Sequence, residues 1–196
     1  MRDDKKQDKH EAITTAAYAL LADKGYAGAS MLSIAKAAKA SNETLYRWYG
    51  DKRGLFETMA RDNAQGIRHR LEQALSDDQD AMEALEQIAP LLLSMLLDDR
   101  AISLNRAAAA DPSGELGAAI SAGGRNEIVP LVRALIGRLA IKGTKGLNPT
   151  DLFVTLLVGD LQIKRAIGAL SPLSQEQVTQ RASDALISFR KLVGLA

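Results

Sequence analysis

The chain has no cysteine, two histidines and eight aromatic residues among 196. Without thiols there is no disulfide framework and no thiolate metal site. His10 and His69 lie far apart, and neither has a carboxylate at metal-ligand spacing, so both read as surface side chains and no metal is expected. β-Branched residues are sparse and Leu and Ala dominate, which favours an all-helical fold. No strand pattern, internal repeat or low-complexity segment is evident. Long hydrophobic runs are also missing. The most apolar stretch, Pro90 to Leu97, is too short to span a bilayer and ends at Asp98-Asp99. No apolar run follows the charged start, so no signal peptide is expected. These absences point to a soluble cytoplasmic protein without a membrane partner.

Net charge is nearly absent too, at +1. Its distribution is uneven. Residues 1–70 carry thirteen Lys and Arg against nine Asp and Glu, and the remainder carries twelve against fifteen. The basic end is the N-terminal third, a bias that a solvated charged face explains about as well as a polyanionic partner.

What is present is helical periodicity with clear punctuation. Ile13, Ala17, Leu20 and Leu21 predict a first helix from about Lys5 to Lys24, stopped by Gly25. Ser30 suits the N-cap of a short helix over 31–38, and Ser41 that of another over 42–49, closed by Gly50. A long fourth helix carries Leu55, Phe56, Met59, Ile67, Leu71 and Leu75 as one stripe. The run Ser76-Asp77-Asp78-Gln79-Asp80 ends it. Those acids lack the spacing, Gly and Glu of a calcium loop and read as an interhelix turn. Helices over 80–97, with a kink at Pro90, and 100–110 follow. The segment 115–141 reads as helical but interrupted at Gly123-Gly124, and 142–146 as a loop. Asn148 with Pro149 starts a helix over 149–170. Ser174 with Gln177 forms a capping box for the last, 174–194, whose stripe is Val178, Ala182, Ala185, Leu186, Phe189 and Val193.

Residues 40–56, ASNETLYRWYGDKRGLF, concentrate the chemistry. Tyr46, Trp48 and Tyr49 fall within four residues. Successive helical residues turn by about 100°, so the three rings cannot share one face. Leu45 and Tyr49, four apart, suit an inward anchor; Tyr46 then looks outward and Trp48 is left undecided. Three short helices with a tight turn between the second and third suggest a helix-turn-helix, whose third helix enters the major groove of DNA. The candidate DNA-binding residues are Ser30, Ser41, Asn42, Glu43, Thr44, Tyr46, Arg47, Trp48 and Lys52. The hydroxyls of Thr44 and Tyr46 would reach phosphates, and Lys52 would add charge and a backbone amide at the start of the fourth helix. Glu43 could accept from a cytosine amino group or merely favour the helix N-terminus.

The pattern Gly25-Tyr26, Ser30, Ile34-Ala35-Lys36-Ala37-Ala38, Ser41, Thr44-Leu45-Tyr46, Tyr49, Lys52 and Leu55-Phe56 resembles the DNA-binding domain of the tetracycline-repressor (TetR) family over about residues 10–60. Two departures stand out. Lys39 occupies a turn where the family usually has Gly, at roughly 1 kcal/mol if φ is positive. Asn42-Glu43 replaces a pair that is often Lys-Gly. The resemblance implies a helix-turn-helix DNA-binding domain over 1–52 and a helical ligand-binding and dimerisation domain over 53–196. It implies a ligand-responsive regulator, by family habit a repressor, that binds double-stranded DNA as a homodimer through helices 149–170 and 174–194.

A small-molecule effector would bind among the helices of 80–141. Leu93, Leu97 and Leu104, with Asn105, Arg106 and Gln162 as polar groups, are the candidates, although the leucines fit an ordinary core equally. Arg106 and Asp111 could pair across a helix end or border that pocket. No nucleophile–base pair, metal cluster or cofactor loop is present, so neither enzyme chemistry nor a cofactor is expected. The alternative is a helical ligand- or partner-binding module with a degenerate helix-turn-helix, Lys39 and Glu43 being the damage.

Overall fold

The computed structural model describes residues 2–77, 79–143 and 146–195; Asp78, Thr144 and Lys145, in two of the expected loops, lie outside them. Among the described residues all regular structure is helical: α1 (Arg2–Gly28), α2 (Met31–Ala37), α3 (Asn42–Tyr49), α4 (Lys52–Ser76), α5 (Ala81–Leu97), α6 (Asp99–Ala109), α7 (Glu115–Ile120), a π-helical turn (Ser121–Arg125), α8 (Asn126–Ile136), α9 (Pro149–Val158), α10 (Leu161–Ala166) and α11 (Gln175–Val193). No described helix is long and apolar enough to cross a membrane.

The helix starts follow from short-range hydrogen bonds. Ser30 and Ser33 form a reciprocal capping box on α2, and Ser174 and Gln177 form one on α11. Asp80 accepts the Met82 and Glu83 amides at the start of α5, and Asn148 accepts those of Thr150 and Asp151 at the start of α9. Each cap satisfies amides that the first helical turn leaves without an intrahelical acceptor. Gly25 breaks α1 internally at φ 66°. α5 continues through Pro90 as one element.

The chain divides into two compact units. One runs to Asn63 and is joined by Ser103–Gly124; the other comprises Ala64–Ile102 and the chain from Arg125 onward. The first unit is larger than residues 1–52 because its core needs more chain. Ile13, Ala17 and Leu21 of α1, Ile34 of α2 and Leu45 of α3 pack with Leu55, Phe56 and Met59 of α4, and with Leu104 and Leu116. Tyr26 meets Phe56 edge-on at 5.4 Å between ring centroids. The π-helical turn explains the expected interruption at Gly123-Gly124. A Cβ on Gly123 would lie 2.0 Å from the Glu57 carbonyl oxygen, whereas one on Gly124 would meet nothing within 4 Å.

The second unit centres on α5, α8, α9 and α11. Phe153 and Phe189 meet edge-on at 5.7 Å, both fully buried. Two expectations are corrected here. The span 149–170 is not one helix: Gly159 takes φ 51° and ends α9. Arg181 of α11 donates to the Leu157 carbonyl at 3.0 Å and to that of Leu156 at 2.6 Å, satisfying the carbonyls that the helix end frees. The apolar stripe of α11 is also not available to a partner, because all six of its residues are buried in this core.

Gly123→Ala should destabilise the protein by about 1–3 kcal/mol, since the clash is with backbone that has no rotamer escape. Gly124→Ala should be neutral or slightly stabilising. Chemical denaturation of the two variants beside the parent checks the contrast.

Candidate nucleic-acid interface

Exposure along α3 follows a helical repeat. Leu45 is fully buried, and the adjoining Thr44 is buried while Trp48 and Tyr49 are half-buried. Asn42, Glu43, Tyr46 and Arg47 are exposed, Tyr46 by 50%. An eight-residue helix is thus anchored on one side and leaves an amide, a carboxylate, a phenol and a guanidinium on the other. Its start is held by Ser41, whose hydroxyl accepts the Thr44 amide at 3.1 Å. Glu43 lies in its first turn, where a negative charge is favoured by the helix dipole.

Two expected contacts have a different geometry. The Thr44 hydroxyl does not face outward: it lies 2.7 Å from the Ser41 hydroxyl, inside the cap. The helical period puts Thr44 beside Leu45, on the anchored side. The Lys52 ammonium turns inward too. It donates to the Tyr26 carbonyl at 3.0 Å and sits 3.9 Å from the Tyr26 ring centroid, a cation–π contact. Asp51, just before α4, accepts the Gly54 amide at 2.7 Å. Ser30 is exposed and its hydroxyl caps α2.

Lys36, Lys39 and Arg53, which are not among the candidate DNA-binding residues, are all solvent-facing. Lys39 takes φ 51° in the turn between α2 and α3, the one non-glycine residue with positive φ among those described. Lys6 of α1 stands 6.0 Å from the Trp48 ring centroid. His10 is not a plain surface residue. Half-buried, it bridges the Tyr49 hydroxyl, 2.9 Å from Nδ1, and Asp62 Oδ2, 2.8 Å from Nε2. Nothing in the local sequence signals that bridge.

The expected effector residues divide between the units. Leu93 and Leu97 are core residues of the second unit, where Gln162 donates to the Leu96 carbonyl at 3.0 Å. Leu104 is a core residue of the first, where Asn105 is half-buried and Arg106 exposed. The six are therefore not gathered within either unit. Asp111 accepts from Ser113 and from the Leu116 amide, and those hydrogen bonds hold its carboxyl below the usual range. Among the described residues no three His, Cys, Asp or Glu are grouped as for a metal.

Residues 13–59 match the family described as bacterial regulatory proteins, tetR family. The N-terminal domain is a TetR-family helix-turn-helix. A 43-residue stretch is 44% identical to the uncharacterized HTH-type transcriptional regulator YdeS of Bacillus subtilis (strain 168), and spans 22% of this chain and 22% of that protein. Likeness in structure extends over nearly the whole chain. A TetR transcriptional regulator from Agrobacterium tumefaciens is 26% identical with a TM-score of 0.70, covering 94% of this chain and 93% of that one. The flavonoid-responsive regulator FrrA is 23% identical with a TM-score of 0.65, covering 93% and 95%. The TetR-family architecture, all-helical with an N-terminal helix-turn-helix, thus describes this chain, and the proteins it resembles are regulators rather than enzymes.

Two tyrosines of the TetR-family domain titrate late. Burial, and then Glu115, push the Tyr26 phenol up to about 12, and burial, then Asp62, push that of Tyr49 to about 12. A raised folded-state value means the fold favours the protonated phenol. That contribution is complete below about pH 10, the ordinary phenol value, and is lost as pH rises towards about 12. Tyrosinate absorbance of the native protein should therefore show two of the four tyrosines ionising only with alkaline unfolding. Tyr26→Phe and Tyr49→Phe should each remove one.

Proposed function

We propose that the protein is a sequence-specific, double-stranded-DNA-binding transcriptional regulator, a repressor acting in the cytoplasm as a homodimer on a pseudo-palindromic site. The observation that carries this reading is the exposed face of α3, with Asn42, Glu43, Tyr46 and Arg47 on the side opposite a fully buried Leu45. Amides, carboxylates and guanidinium groups read base edges, while phenol and cation reach phosphates. Ser30, Ser41 and Trp48 flank this face. Thr44 and Lys52 serve it from within, as cap and brace.

A two-fold dimer would set two such helices about 34–36 Å apart, one turn of DNA. Support for pairing through the C-terminal helices is apolar surface left over from the core. Ile163 of α10 and Ile167 at its C-cap are 67% and 73% exposed, and Ile187 of α11 is 49% exposed. Burial against a second copy would remove that surface from water. FrrA is described as responding to flavonoids; by extension a small-molecule effector is proposed here, acting by binding one arrangement of the dimer more tightly than another.

The second reading, a helical module with a degenerate helix-turn-helix, draws on the left-handed backbone of Lys39 and the inward ammonium of Lys52. Selection of duplexes from a random pool by the purified full chain separates the two. The regulator should enrich one inverted repeat and lose affinity steeply with salt. Arg47→Ala should weaken binding to the enriched duplex by about 1–3 kcal/mol if it reads a base, or reduce the salt slope by about 1 if it holds a phosphate. Tyr46→Ala should weaken binding while sedimentation still reports a dimer. Enrichment of nothing would leave the second reading standing.

A further inference from the structure

We propose that His10 and Asp62 are positioning residues for the DNA-reading helix, acting through the hydroxyl of Tyr49. The inference rests on the DNA-binding reading above. Three helices meet in this bridge. Asp62 belongs to α4, His10 to α1, and Tyr49 is the last residue of α3. A neutral imidazole has one donor and one acceptor nitrogen. An ionised carboxylate only accepts, so the imidazole nitrogen 2.8 Å from Asp62, Nε2, carries the proton. In the neutral ring Nδ1 is then an acceptor, and the Tyr49 hydroxyl 2.9 Å away donates to it. The phenol is suited to that role, since burial and Asp62 keep it protonated far into the alkaline range. The His10 and Tyr49 rings also stack tilted, 6.0 Å apart.

The two ends of α3 are thereby held by different means. Ser41 secures the start by a local cap. The end is tied by a bridge of long sequence separation, with residue 49 reaching back to 10 and 10 reaching forward to 62. Packing alone would not require it, because Phe at 49 would fill the same space without a polar atom to satisfy. The bridge removes rotation and sliding of the short helix about its Leu45 anchor. A helix already held in its binding position does not lose that freedom when DNA binds.

The test uses the full chain and the duplex enriched by selection. Tyr49→Phe, which removes only the hydroxyl, and His10→Leu should each weaken binding about three- to tenfold, the change expected for losing one neutral hydrogen bond. The double variant should bind no worse than the weaker single one, because both cut the same bridge. The dependence of affinity on salt should not change slope, since no phosphate contact is lost. With the imidazole neutral, 15N spectra of the free protein should show the His10 proton on Nε2 and Nδ1 bare, with the Nδ1 resonance moving in Tyr49→Phe. Additive losses, a slope reduced by about 1, wild-type affinity in both single variants, or an Nδ1 signal indifferent to Tyr49→Phe would each overturn the positioning role. Those outcomes leave DNA binding intact, whereas a wild-type chain that enriches no duplex removes the DNA-binding reading itself. Should His10→Leu fail to fold, Tyr49→Phe and the wild-type spectra decide alone.

Discussion

The burial of Leu45 is the constraint on which the nucleic-acid face depends. An eight-residue helix is too short to be stable by itself in water. It persists because one side enters the core shared by α1, α2 and the beginning of α4, and because its first turn is capped. Only with that side occupied can the other be left polar and open. The exposed pairs 42–43 and 46–47 alternate with the sheltered pairs 44–45 and 48–49, as a helical period demands. The chemistry of the outward face is thus a by-product of a packing decision made by the inward one.

The polar groups near α3 divide accordingly between contact and support. Tyr46 and Arg47 are left to solvent. Lys52, Thr44, Ser41, His10 and Asp51 spend their hydrogen bonds on the protein: on a carbonyl, on caps, on a phenol. A motif read as a row of contacts therefore becomes, in three dimensions, a small number of exposed groups on a scaffold made from the rest. Lys52 illustrates the point, since its ammonium is held over the Tyr26 ring and against the Tyr26 carbonyl.

Much of the fold was legible because its signals are local. Ser30, Ser41, Asn148 and Ser174 cap helices through bonds that span two or three residues, so spacing alone reveals them. The inward placement of Leu45 was legible from its fourfold spacing to Tyr49. Thr44 was open to the same argument, since it shares the helical face of Leu45 and Trp48; the hydroxyl suggested a phosphate where periodicity suggested shelter. The rest depends on distant partners. The break after α9 needs Arg181, more than twenty residues onward, to receive two freed carbonyls. The π-helical turn needs the Glu57 backbone against Gly123. The environment of His10 is made by residues 39 and 52 positions away. No window of sequence contains such information.

The left-handed backbone at Lys39 has a consequence of its own. Strain of this kind is present only in the native chain and vanishes on melting, so it subtracts about 1 kcal/mol from the margin holding the N-terminal unit together. That deficit sits in an exposed turn, outside the packed interior. The domain therefore keeps a reserve of thermal robustness that one residue without a β-carbon could release, leaving every core contact untouched.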